Sequence, residues 1–271
     1  MILGVDYSAG VPSPAALRRA GVVFVARYIA PGDRRKELTR AEVAAMNAAG
    51  IGIVAVYEDT TGDWRSGRLG GRRRAAFVLG ELPKLGAPAG ASCYFAADSD
   101  VPSAELTTAV EYVRGAADML GAGRTGVYGE HDVVKACLDQ RVCRFGWQTP
   151  AWSHHQVDPR AQILQQLGQV TIDGITCDRD FAVQAVYGQW DRPGGEDMPL
   201  TEAEWVRMTA LVERSAERAA ELVGAKYYRM LARGEMPNGQ PDPAHAEIST
   251  AAANSKLEVL LDRTAPAAPA P

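Results

Sequence analysis

The chain has 271 residues, 46% hydrophobic and 23% charged, with a formal net charge of −4. That is ordinary globular composition, enough for one large domain and an appendage, and it excludes a basic nucleic-acid surface; Arg72-Arg73-Arg74 reads as a solvated helix face. No apolar run approaches the ~18 residues of a membrane span, and Met1 leads straight into a strand, without the charged and apolar regions of a signal peptide.

The first strand is expected over Ile2 to Asp6. Ser13-Pro14 opens a short helix, with the proline at its first position. Val22 to Tyr28 is the second strand, and Thr39-Arg40-Ala41-Glu42 is a capping box for a helix that Gly50 stops. Ile51 to Tyr57 is the third strand, followed by an Arg- and Ala-rich helix from Leu69 to Leu82, stopped by Pro83. The fourth strand, from Ala91, ends at Asp98, and a helix runs from Ser103 to Leu120. Thr125 to Tyr128 is the fifth strand, Asp132 to Leu138 a short helix, and Val142 to Trp147 the sixth strand.

Apolar strands alternating with helices mean parallel strands buried on both faces. No Gly-x-Gly-x-x-Gly follows the first strand and no Gly-Lys-Ser/Thr occurs, which argues against a nucleotide-binding open sheet. Ala161 to Gln166 and Gly174 to Asp178 also read as strands, but only seven residues separate them. A parallel crossover needs more, so these two are expected to be antiparallel. The simplest route runs up the sixth strand, down the seventh and up the eighth. The fold expected is α/β: an irregular TIM-like (β/α)5(β)3 barrel over residues 1–190, with a C-terminal helical appendage.

Residues 191–199 read as a linker, and 200–263 as the helical appendage, opened by the capping box Thr201-Glu202-Ala203-Glu204. Its stripe of Trp205, Met208, Leu211, Val212, Ala219, Leu222, Val223, Met230 and Leu231 must pack on the barrel, on a second copy or on an assembly partner. The Ala/Pro-rich tail, 264–271, is expected to be disordered.

Cys93 and Cys177 fall in strands and are expected as small buried apolar side chains. Cys137 and Cys143 could meet across a helix-to-strand turn, with their redox state open. There is no Cys-x-x-Cys, and His154-His155 is a loop dipeptide without zinc spacing, so neither a metal nor a cofactor is expected.

Function in such barrels sits at the C-terminal ends of the strands. Those ends carry Asp6, Arg27-Tyr28, Tyr57-Glu58, Asp98 with Asp100, Tyr128 with Glu130, Trp147-Gln148, and Asp178 with Asp180. Residues two apart on a strand share a face, so Asp98 and Asp100 are expected side by side, roughly 7 Å apart at the backbone. Two close carboxyls cannot ionise independently, which suits acid/base attack on a glycosidic bond. Aromatic faces beside carboxylates suit a sugar. Arg27, Tyr28, Glu58, Tyr128, Trp147 and Asp180 are the expected substrate-binding residues, although Arg27 could equally neutralise Asp6 or Glu58.

Gly4-Val5-Asp6-Tyr7-Ser8, Phe24-Val25-Ala26-Arg27-Tyr28, Asp98-Ser99-Asp100, Gly126-Val127-Tyr128-Gly129, Trp147-Gln148 and Asp178-Arg179-Asp180-Phe181 together resemble the glycoside hydrolase-like domain of actinobacteria and their phages. That family is similar to the family 25 lysozymes, which cut peptidoglycan between N-acetylmuramic acid and N-acetylglucosamine. The resemblance covers residues 1–190 and implies an irregular barrel with an acidic site of Asp6, Asp98, Asp100 and Asp178. The lysozymes usually carry a glutamate, the presumed acid, where this chain has Asp100. The resemblance thus implies a muramidase-type peptidoglycan hydrolase. In it Asp100 is the general acid, Asp98 positions water or the acetamido group, and Asp6 and Asp178 hold the sugar. The alternative is a non-catalytic glycan-binding barrel in a virion or a wall-associated assembly. Either would work at the cell wall or outside the cell, as a phage lysin or virion component reaches it, without its own signal peptide.

Overall fold

The computed structural model describes residues 2–32 and 35–190. The linker, the appendage from Thr201 with its docking stripe, and the tail lie outside the described residues. The chain divides at Leu200 into two units, and the described residues belong to the first.

Eight strands close into one ring in chain order. They are β1 (Ile2–Asp6), β2 (Phe24–Ile29), β3 (Gly52–Tyr57), β4 (Cys93–Ala96), β5 (Thr125–Gly129), β6 (Phe145–Gln148), β7 (Ile163–Ile172) and β8 (Ile175–Ala182). Helices α1 (Pro14–Arg19), α2 (Arg40–Ala48), α3 (Gly67–Leu85), α4 (Leu106–Leu120) and α5 (His131–Asp139) connect the first six. Ser13 and Thr39 cap α1 and α2 by accepting from the Ala16 and Glu42 amides. Helix α3 runs through Pro83 to Leu85 and ends at Gly86 in the left-handed region. In the last turn a proline removes one helical hydrogen bond and does not stop the helix.

The route of the last strands differs from the one expected. β7 is parallel to β6, and it is β8 that runs antiparallel, both to β7 and to β1. Residues 149–162 carry the chain back to the bottom of the barrel without a helix, a span long enough for a parallel crossover. The expected antiparallel pair is present, as a hairpin with Asp173 and Gly174 both at positive φ, the turn that matches strand twist. Because β8 starts at the mouth, Asp178 still reaches the rim of Asp6, and the two are cross-strand partners.

Strand parity divides the interior into two cores. Phe24, Val54, Val56, Tyr94, Phe145, Trp147 and Ile163 fill the ring, while Val25, Ile29, Val43, Met46, Phe95 and Val127 pack between ring and helices. Glycines make room for the large rings. A Cβ on Gly4 would stand 2.2 Å from the Phe24 ring, and one on Gly126 would stand 2.5 Å from Tyr94. The four cysteines are buried free thiols, and Cys137 and Cys143 meet by a thiol hydrogen bond.

Arg27 belongs to the outer parity of β2. It is fully buried between ring and α2, where its Nε donates to Glu42 Oε1 at 2.6 Å and its Nη1 to the Tyr7 carbonyl at 2.5 Å. Its guanidinium lies 4.4 Å from the Tyr7 ring centre, and the Tyr7 hydroxyl donates to the same Glu42 oxygen at 3.0 Å. This network pins the chain immediately after Asp6. Glu42→Ala leaves the Arg27 charge buried and unpaired, and is expected to lower stability by about 3–5 kcal/mol. Arg27→Met with Glu42→Leu should recover most of that loss; urea unfolding measures both.

Candidate active site

The inner parity of β1, β2, β5, β6, β7 and β8 brings Asp6, Tyr28, Tyr128, Trp147, Gln165 and Asp178 to the mouth of the ring. Asp98 and Glu58 join them from the segments just past β4 and β3. They line a cavity of about 620 Å³. Its outer wall comes from loops. Arg35 and Lys36 enter from the β2–α2 connection, Thr149 to Trp152 from the crossover after β6, and Gln166, Leu167 and Gly168 from a bulge in β7. Gln148 holds the crossover loop in place, donating to the Gln156 carbonyl at 2.7 Å and accepting from the Asp158 amide at 2.9 Å. Trp152 is thereby presented to solvent at positive φ on the cavity rim.

Burial governs the charges. Asp6 is 4% exposed, and desolvation, reinforced by the neighbouring Asp178 charge, pushes its carboxyl up to about 6. Two donors oppose the shift: the Tyr28 hydroxyl donates to Oδ1 at 3.1 Å, and Gln165 Nε2 donates to Oδ2 at 3.0 Å. Gln165 in turn accepts from the Tyr128 hydroxyl at 3.1 Å. Gln165 thus links Tyr128 to Asp6, and Asp98 stands beside Tyr128 at the mouth. Burial raises Asp98 and Glu58 as well, and Lys36 opposes both shifts. Lys36 pairs with Glu58 and lies 4.3 Å over the Tyr28 ring. Beneath the mouth Asp180 is fully buried, accepting from Trp147 Nε1 at 2.8 Å.

A closed ring with this mouth matches a described family over residues 15–182: the Rv2525c-like, glycoside hydrolase-like domain. The chain belongs to that family. Over 205 residues it is 28% identical to the Mycobacterium tuberculosis protein named "Putative peptidoglycan hydrolase Rv2525c", an alignment covering 68% of this chain and 82% of that protein. The crystal structure of Rv2525c, described as Tat-secreted and in complex with L-tartrate, superposes with a TM-score of 0.65 at 26% identity, covering 70% of this chain and 98% of that one. An uncharacterized B. stearothermophilus protein shares the fold with a TM-score of 0.51 at 16% identity, covering 67% and 96%. A family 25 glycosyl hydrolase from Bacillus anthracis is more distant, with a TM-score of 0.49 at 10% identity, covering 69% and 94%.

In this member of the family, Asp6, Asp98, Asp178, Tyr28, Glu58, Tyr128 and Trp147 come together around one cavity. Three expected residues do not line it. Asp100 is exposed on the surface. β4 ends at Ala96 and the chain bends at Ser99, so the alternation that was to pair Asp100 with Asp98 has already stopped. Arg27 faces the helices by parity and pairs with Glu42, with neither Asp6 nor Glu58. Asp180 shares the inner parity but sits one layer below the opening, opposite Gly4. Sequence reasoning missed Lys36, Gln165 and Trp152. Gln165 carried a usable signal, its inner parity in a strand; the two loop residues carried none. Among the described residues no group of three or more His, Cys, Asp and Glu could hold a metal ion.

Tyr28→Phe removes one donor from the ionised form of Asp6. It is expected to raise the Asp6 titration by about one unit, the worth of a charge-assisted hydrogen bond of ~1.5 kcal/mol. Carboxyl titration by carbon NMR checks this; an unmoved Asp6 refutes the assignment.

Proposed function

We propose that the chain hydrolyses a glycosidic bond of the cell-wall glycan, in the manner of a muramidase, working at the wall outside the cell. One observation carries the reading: carboxyls with raised titration, among them Asp6 on β1 and Asp98 after β4, open onto the same aromatic-lined cavity. The name of the M. tuberculosis relative supports the substrate class.

Asp6 is the proton donor in this reading, the role first expected of Asp100. A group held at about 6 by burial keeps its proton in mild acid and still transfers it readily. Tyr28 and Gln165 use two of the directions around its carboxyl, which leaves one towards the cavity. Asp98, three strands away around the ring, keeps its expected role of placing water or the acetamido group. Tyr28, Tyr128, Trp147 and Trp152 offer faces for sugar rings, and Asp178 and Glu58 offer acceptors for hydroxyls.

Turnover needs Asp6 protonated, so it should fall as pH rises through about 6. Reducing-sugar release from purified peptidoglycan measures this, and Tyr28→Phe should move that limb upward. Asp6→Asn should abolish release. Absence of release by the unmutated chain across a broad pH range removes the catalytic reading.

A second reading, glycan binding without turnover, is favoured by one specific fact: Asp100, at the position of the lysozyme acid, stands outside the cavity. In either reading Trp152→Ala should weaken retention on insoluble wall about tenfold, or ~1.4 kcal/mol. Wall retention with intact Trp152 and no sugar release selects the binding reading.

A further inference from the structure

Asp180 is a fully buried carboxyl outside the wall of the mouth cavity, and among the described residues it pairs with no cation, a costly arrangement for an anion. One oxygen, Oδ1, accepts from the Trp147 indole at 2.8 Å. The other, Oδ2, is buried and finds no donor. The groups facing it are Asp6 from β1, Asp178 from β8 itself, Gln165 from β7, Trp147 from β6, and the hydroxyls of Tyr94 and Tyr128. Each titratable member of that set is an acid. The carboxyls of Asp6 and Asp180 also lie within hydrogen-bonding reach of one another. Two carboxylates cannot donate to each other, so this contact needs a proton between them.

We propose that Asp180 keeps its proton at neutral pH and donates it as a hydrogen bond to Asp6, so that the two carboxyls form a proton-sharing pair beneath the cavity. Protonation supplies the donor that Oδ2 otherwise lacks, and it leaves Oδ1 free to accept from Trp147. Asp6 and Asp180 then carry one negative charge between them where two would repel. Burial first, and the Asp6 charge second, raise the Asp180 carboxyl well above its ordinary range, in keeping with this arrangement. The third donor also orients Asp6. Together with Tyr28 and Gln165 it leaves the fourth lone-pair direction of that carboxyl facing the cavity. Asp180 is thus a positioning residue for Asp6. Its bearing on turnover rests on the reading of Asp6 as the proton donor; the existence of the pair does not.

Infrared difference spectroscopy of the full chain tests the pair without any substrate. The unmutated protein should show the C=O stretch of a protonated carboxyl at neutral pH, and Asp180→Asn should lose it. Absence of the band from the unmutated protein, or its survival in Asp180→Asn, overturns the proposal. If Asp180→Asn fails to fold, Trp147→Phe serves in its place. Losing the indole donor should move the band to higher frequency, and an unmoved band overturns the assignment to Asp180. A chain that shows the band and releases no sugar keeps the pair and loses only the catalytic reading of Asp6.

Discussion

The antiparallel seam between β1 and β8 is the constraint on which the mouth depends. Its register sets Asp6 against Asp178 and Gly4 against Asp180, and so places three carboxyls within two layers of one another. A parallel eighth strand would not give this register. Closing the ring with a reversed strand therefore both removes the open sheet edge and concentrates acid at the mouth. Those like charges repel, and burial makes the repulsion count. The structure answers with donors: Tyr28, Gln165 and Trp147 all direct N–H or O–H groups at this cluster.

A second network, on the outer parity, supports the first. Arg27 and Glu42 tie β2 to α2, and the Arg27 bond to the Tyr7 carbonyl fixes the residue next to Asp6. The ion pair costs desolvation and returns position. Adjacent residues on β2 serve opposite ends: Arg27 braces β1 from outside the ring, and Tyr28 holds Asp6 from inside.

The fold was legible because the units announced themselves as apolar strand and helix, with caps at Ser13 and Thr39. Asp6, Asp98, Asp178, Tyr28, Tyr128 and Trp147 were legible as strand-end residues. What escaped were the places where period stops carrying information. Strand β4 ends at Ala96, so counting by two onward to Asp100 counted past the strand. Arg27 was grouped with Tyr28 by adjacency, although parity sends them to opposite faces. The direction of β7 escaped because residues 149–162 make a parallel crossover without a helix, so no helical period marks them as one. Lys36 and Trp152 come from loops, whose course no periodicity encodes.

The displacement of Asp100 bears on mechanism more than on fold. A proton donor must stand within hydrogen-bonding reach of the leaving oxygen, and its titration must suit the working pH. Asp100 is exposed and outside the cavity wall. In the reading proposed above, Asp6 meets the second through burial and the first from the cavity it lines. A buried carboxyl is a poor donor if the anion left behind has nothing to stabilise it. Tyr28 and Gln165 already point at that anion, and a protonated Asp180 adds a third donor, so the charge that appears on Asp6 falls into a set of dipoles in place beforehand. The same burial that raises the carboxyl towards the acid role thus surrounds it with the groups that receive its charge.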